Sequence, residues 1–227
     1  MKIGVLVAME KEFSALRSIL SGHSEVPDMK HKTIRGIYEG KEIILQQCGV
    51  GKVNSAIGTV EMIKAFQPDA VISTGCAGGA SLKTEPGDVV AAAECVYHDV
   101  SCGSETAYGQ MMGMPARYVS DAYLLEKTIT IDTEIRIHRG LTVSGDWFVT
   151  TKEKMGFIID RFPEAMAVDM ESCSIAQTCH IYGVPFLSFR IISDVPLRDI
   201  DASQYYDFWD NMAGRSFEIT RRFLDTL

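Results

Sequence analysis

The sequence predicts an α/β fold: a three-layer sandwich with a central mixed, twisted β-sheet flanked by helices, built as a single domain over residues 1–227. Three observations carry that expectation. Short apolar β-like runs alternate with segments of helical periodicity, the pattern of a layered sheet. Two of the β-like runs are joined through Glu39-Gly40-Lys41, which suits a hairpin and makes part of the sheet antiparallel. No composition break, internal repeat or low-complexity tract divides the 227 residues, of which 46% are hydrophobic, enough for one substantial core.

Taken in order, Ile3 to Ala8 form a β-like run. Met9 to Leu20 follow as a helix, because Met9, Phe13, Leu16 and Leu20 recur at helical spacing. Thr33 to Tyr38 and Glu42 to Gln47 are the hairpin arms. A helix over Val53 to Phe66 stops at Gln67-Pro68-Asp69, and the strand Ala70 to Thr74 then runs into Gly75-Cys76-Ala77-Gly78-Gly79. After the apolar run Asp88 to Val96 comes Asp99 to Ala116, rich in Gly, Ser and Met, a loop long enough to be functional or disordered. The remainder alternates: helix near Ser120 to Thr130, strand Gly140 to Ser144, helix Lys152 to Arg161, strand Ala165 to Asp169, helix Glu171 to Tyr182, strand Pro185 to Ile192 and a terminal helix from about Ser203.

The balance of 22 basic against 30 acidic residues gives a formal charge of -8, which disfavours nucleic acid and anionic membranes as partners and points to a small ligand. No apolar run reaches the roughly 18 residues of a membrane span, and Met1-Lys2-Ile3 leads straight into a strand without a secretory h-region, so a cytoplasmic protein is expected. None of the six cysteines shows C-x-x-C spacing, and the five histidines form no H-E-x-x-H pair. Neither a structural metal nor a disulfide framework is expected, and no cofactor is implied.

The chemistry concentrates in acids at the ends of apolar segments. Pro185-Phe186-Leu187-Ser188-Phe189 reads as a buried strand, yet it runs through Arg190 into Ser193-Asp194; a carboxylate there must be solvated, paired or used. Met170-Glu171 stands likewise where a strand gives way to a helix, and ligands of open α/β sheets gather at such carboxyl ends. In the first helix, residues turn by about 100° each, so Glu12 shares a side with Leu16 and Ile19, whereas Glu10 lies with Ser14 and Arg17. Glu12 thus borders the buried stripe. Read alone, it is a solvated acid favoured by the helix dipole; beside Glu171 and Asp194 it is a catalytic candidate. Three carboxylates with one arginine suit glycosyl cleavage, which needs an acid for the departing group and a base for water, differently tuned by burial and hydrogen bonding.

The glycine-rich segments are less specific. Gly49-Val50-Gly51-Lys52 resembles the end of a phosphate loop, but Val53 stands where Ser or Thr is required and Leu45 where the first glycine should be. Gly75 to Gly79 lack the G-x-G-x-x-G register of a dinucleotide fold. Two readings stay open for both: tight strand exits, or backbone N–H groups that approach a ligand closely.

Taken together, the motifs resemble those of the 5'-methylthioadenosine/S-adenosylhomocysteine nucleosidases, within the purine nucleoside phosphorylase superfamily. The likeness runs through Ile3-Gly4, Ala8-Met9-Glu10-Lys11-Glu12, Gly49 to Val53, Thr74 to Gly79, Tyr97-His98-Asp99, Ser144-Gly145-Asp146, Val168-Asp169-Met170-Glu171 and Arg190 to Val195, in that order. The resemblance implies a nucleoside phosphorylase-like fold and hydrolysis of an adenine nucleoside carrying a 5'-alkylthio group. It implies that Asp194, oriented by Ser193, protonates adenine as it leaves, that Glu12 directs water at the anomeric carbon and that Glu171 accepts hydrogen bonds from the ribose. Met170 would pack beneath the sugar, Arg190 steady the acids, Phe148 stack on the purine and the Val149 backbone read its edge. Met9, Val50, Cys76, Ala77 and Gly78 belong to the implied substrate-binding set, with Tyr205 as the candidate aromatic lid. A homodimer is implied, in which the loop 99–116 reaches the neighbouring site near Tyr108.

This sequence departs from the family pattern in three places. Cys76 stands where serine is common, Trp147 replaces a small residue beside Phe148, and Val100 to Met114 lack the usual aromatic-containing loop, with Met111, Met112, Met114 and Pro115 as apolar replacements. Phosphorolysis, a hydrolase of another adenine or futalosine-type nucleoside, and a nucleoside-binding protein without catalysis are the alternatives. Arg17, Arg35 and Arg117 lie outside the matching motifs, which leaves a phosphate site without evident ligands.

Overall fold

The computed structural model describes residues 1–198, 203–211 and 217–227. Its strands are β1 (Lys2–Val7), β2 (Ser21–Glu25), β3 (Thr33–Tyr38), β4 (Lys41–Gln47), β5 (Ala70–Gly79), β6 (Val89–Tyr97), β7 (Tyr118–Val119), β8 (Ile137–Ser144), β9 (Ala165–Asp169) and β10 (Phe186–Asp194). The helices are α1 (Glu10–Arg17), α2 (Lys52–Phe66), α3 (Ala122–Lys127), α4 (Lys152–Ile159), α5 (Ser172–Tyr182), α6 (Ser203–Asn211) and α7 (Glu218–Asp225). The strands form one mixed sheet flanked by these helices, as the alternation of elements predicts.

From one edge the strands run β2-β3-β4-β1-β5. Beyond β5 the sheet closes on itself: β5 pairs with β10, β10 with β6, β6 with β8, β8 with β9, and β9 returns to β5. The closure depends on a segment for which the sequence predicts a glycine loop. Gly75 to Gly79 continue β5, so that strand spans ten residues. Gly78 and Gly79 pair with Val168 and Ala167 of β9, while Gly78 also aligns with Asp194 of β10. A Cβ on Gly79 would stand 2.4 Å from Thr84 Oγ1, so the absence of a side chain admits the crowded neighbours.

The hairpin forms as expected, with Glu39 at φ +44° and Gly40 at φ +73°, the two left-handed positions of a type I′ turn. β2 was not legible because all five of its residues are exposed and it is a polar edge strand. At the carboxyl-terminal end, where one helix from about Ser203 is expected, the described residues form α6 and α7; residues 212–216 lie outside the described set.

What positions the site is the parallel run β4-β1-β5-β10, whose carboxyl ends point the same way. All nine residues of β10 are buried, Arg190 and Asp194 included. One face packs on the carboxyl-terminal helices, where Phe189 stacks on Phe223 with ring centroids 4.9 Å apart. Burial of this size fixes the strand, and the strand fixes the charged groups that it carries.

Candidate active site

A cavity of about 310 Å³ opens at these strand ends. It is lined by Met9, Glu12, Val50, Cys76, Ala77, Gly78, Phe148, Val149, Met170, Glu171, Ser193, Asp194 and Tyr205, which bring the predicted site residues together in one place. Arg190 is the exception. It is 1% exposed and pairs with Asp169 and Glu171.

Glu12 sits in the first turn of α1 and is itself buried. Its Oε2 accepts the backbone N–H groups of Ala8 at 3.0 Å and Met9 at 2.9 Å, the reach-back of an N3 glutamate that caps its own helix. Its Oε1 accepts the N–H of Cys76 at 2.9 Å. Burial pushes its pKa above the ordinary carboxylate range, against the opposing effects of Arg190 and the three N–H groups. Gly75, at φ +142°, makes this approach possible: a Cβ there would lie 2.5 Å from Glu12 Oε1 and 2.8 Å from Arg190 Nη1. The close-approach reading of that glycine is the one the geometry favours. Cys76 contributes its backbone; burial raises its thiol well above the usual value and keeps it neutral.

Glu171 stands at the N-cap of α5, and its Oε1 accepts the Gly51 N–H at 3.0 Å. Its Oε2 lies 3.7 Å from Arg190 Nη2. Burial raises its pKa, Arg190 opposes the rise, and Asp169 and Glu12 add to it. A carboxyl that binds its proton more tightly folded than unfolded supports the fold most at low pH. That support is lost as pH climbs from the usual carboxylate range through the raised folded value. Glu171→Gln, whose amide oxygen can still accept from Gly51, should therefore melt above the unmodified chain at pH well above neutrality. The difference should vanish at acid pH, as thermal denaturation at the two extremes would record.

Asp194 ends β10, and Ser193 Oγ donates to its Oδ1 at 2.6 Å. The Ala77 carbonyl, 3.3 Å away, is an alternative acceptor for the same hydroxyl. Phe148, another lining residue, is 50% exposed, with its ring 5.2 Å from that of Tyr205 at 70°. The Tyr205 hydroxyl lies 4.0 Å from Met9 Sδ, and this α6 residue lines the cavity. Trp147 also lines it, while packing on His98 and Phe157 at 5.1 and 5.6 Å between centroids.

Three lining residues, Ala8, Val168 and Asp169, belong to the motifs but have no site role in the sequence reading. Asp169 carried the same signal as Asp194, an acid closing an apolar strand. No residue of 99–116 lines the cavity, and Tyr108 turns inward, donating to the His98 carbonyl at 2.9 Å and packing against Phe162.

Fold and cavity together define a protein of the phosphorylase superfamily, whose family model matches residues 2–225. The chain is 35% identical over 231 residues to the 5'-methylthioadenosine/S-adenosylhomocysteine nucleosidase of Anoxybacillus flavithermus, covering 100% of this chain and 99% of that one. Its structure is similar to that of the nucleosidase of the same name from Neisseria meningitidis in complex with methylthio-immucillin-A, with a TM-score of 0.93 and 34% identity over 100% and 99% of the two chains. The futalosine hydrolase of Helicobacter pylori strain 26695 also matches, with a TM-score of 0.91 and 29% identity over 100% and 98%. The chain belongs to the 5'-methylthioadenosine/S-adenosylhomocysteine nucleosidase family.

Proposed function

We propose that the chain hydrolyses the N-glycosidic bond of 5'-methylthioadenosine and S-adenosylhomocysteine, releasing adenine and the thioribose product. The observation that carries this reading is the pair of differently held acids in one cavity: Glu12 gripped by three backbone N–H groups, and Asp194 paired with a serine hydroxyl at a strand end. Water adds to the anomeric carbon as the bond to the purine breaks. Glu12 takes the water's proton, and burial, which raises its pKa, makes it a stronger base than an exposed carboxylate. Asp194 gives a proton to the purine's imidazole nitrogen. Ser193 supports that step, since its hydroxyl can swing from the Ala77 carbonyl to the carboxylate as the proton departs. Glu171 faces the ribose hydroxyls and Met170 the sugar, Phe148 and Tyr205 the purine, with Met9, Val50 and the backbone of Cys76 to Gly78 completing the walls.

Among the described residues lining the cavity there is no lysine or arginine side chain, and Arg190 is spent on buried partners, which favours water over phosphate as the nucleophile. The test is adenine release from 5'-methylthioadenosine, S-adenosylhomocysteine and adenosine, with and without phosphate. Rapid, phosphate-independent release from the thio-nucleosides is expected. Release only with phosphate would establish a phosphorylase, stoichiometric binding without release a binding protein, and preference for another nucleoside would point to a futalosine-type hydrolase.

The single-domain reading is supported by one sheet running through the described chain, and no helix of the described residues is long and apolar enough to cross a membrane. The homodimer reading is supported by an uncovered apolar strip on α2, where Val53 and Ile57, one turn apart, are 68% and 53% exposed. If that strip is the contact, Ile57→Glu should shift sedimentation from dimer to monomer at micromolar concentration. A sedimentation profile that stays dimeric would place the interface elsewhere.

A further inference from the structure

We propose that Asp169 is a positioning residue for this reaction: clamped by Ser144, Ser172 and Arg190, it anchors the guanidinium through Nε and withholds part of its charge from Glu171 and Glu12. The role rests on the hydrolytic reading above. The Asp169 side chain is 1% exposed, and both oxygens are committed to protein donors. Oδ1 accepts Ser144 Oγ at 2.5 Å and the Ser172 N–H at 3.2 Å. Oδ2 accepts the Ser172 hydroxyl and forms an ion pair with Arg190 Nε at 2.7 Å, while the Nε N–H donates to Ser172 Oγ at 3.0 Å. Nothing is left over for a substrate, so Asp169 acts through the arginine.

Arg190 is correspondingly fixed. Its Nη2 donates to Ser73 Oγ at 2.8 Å and faces Glu171 Oε2 at 3.7 Å. Its Nη1 donates to the Thr74 carbonyl at 3.2 Å and meets Glu12 across the bare Cα of Gly75. One buried cation thus serves three carboxylates, and the closest is the one given no role toward the substrate. Attraction falls with distance, so the pairing at 2.7 Å takes the larger share of the positive charge. Were that share released to Glu171 and Glu12, both would be held more firmly ionised and Glu12 would be a weaker base. The titratable groups facing this cluster are Glu12 on α1, Cys48 after β4, Cys76 on β5, Cys95 on β6, His98 just beyond it, Asp169 on β9, Glu171 and Cys173 at α5, and Asp194 on β10; burial lowers the His98 pKa and favours its neutral form, and it raises Cys95 and Cys173 well above the ordinary thiol value. Burial pushes Cys48 up to about 12 and Cys76 well above the ordinary thiol value, so neither contributes charge in the working range.

The experiment is the pH profile of kcat/KM for adenine release from 5'-methylthioadenosine, measured on the unmodified chain, Asp169→Asn and Ser144→Ala. Removing the Asp169 charge should lower kcat and move the acid limb down by about one pH unit, with KM little changed. Ser144→Ala, which strips a neutral donor from a carboxylate that keeps its charge, should move the limb up by a smaller step. An Asp169→Asn limb that stays in place or moves up would mean a merely structural role and overturn the proposal. Should that variant fail to fold by circular dichroism, Ser144→Ala decides, and a limb that stays or moves down overturns it equally. The same shifts can be read without turnover, from titration of 13C-labelled glutamate carboxyls. A chain that releases no adenine would sink the hydrolytic reading, and the carboxyl titration would still decide whether Asp169 governs the charge of Glu171.

Discussion

Asp194→Asn is expected to lower kcat for adenine release about a thousandfold, the usual scale for loss of a general acid, while the chain stays folded and still binds nucleoside. The carboxamide keeps the shape of the carboxyl, and its oxygen can still accept from Ser193, which donates to Oδ1 at 2.6 Å. What it cannot do is surrender a proton to a departing purine. The loss should therefore depend on the leaving group. A riboside whose leaving group departs as a stable anion, such as a nitrophenolate, needs no acid, and its hydrolysis should be almost unaffected. Equal losses on the purine nucleoside and on the activated riboside would remove the acid role from Asp194 and assign it to binding or packing.

The legibility of this site followed from burial. Asp194 and Glu171 could be read because an acid at the end of an apolar run is anomalous, and the three-dimensional arrangement places both at strand ends on one cavity. Glu12 was readable only as a side-chain direction, since helical phase puts it on the apolar stripe, whereas its three backbone donors come from segments as far apart as Ala8 and Cys76. Asp169 carried the same anomaly as Asp194 but no separable role, because what distinguishes it is a distance to Arg190. The closure of the sheet through β5, β10, β6, β8 and β9 left no mark in periodicity either. Glycines signal conformational freedom, and only the neighbouring strands turn Gly75 to Gly79 from an exit loop into the end of β5. The exposed edge strand β2 was silent for the opposite reason, having no apolar face to produce alternation.

Glu12→Gln should be nearly as damaging as Asp194→Asn, and in a different pattern. A base that directs water is needed whatever group departs, so kcat should fall about a thousandfold on the purine nucleoside and on the activated riboside alike. Stability should fall as well. Glu12 meets three backbone N–H groups with two acceptor oxygens; an amide has one, so in either orientation its NH2 faces at least one N–H. An unsatisfied buried donor costs about 1–3 kcal/mol, or roughly 2–4 °C per kcal/mol in the melting temperature of a chain this size. The comparison with Glu171→Gln is then informative, because that variant should melt higher than the unmodified chain above neutral pH. Opposite signs would mean that at Glu12 the lost backbone hydrogen bonds outweigh the relief of a buried charge, whereas at Glu171 that relief prevails. If both variants lost stability to the same extent at every pH, neither carboxyl would be disfavoured by its burial, and a raised pKa for Glu171 would fail.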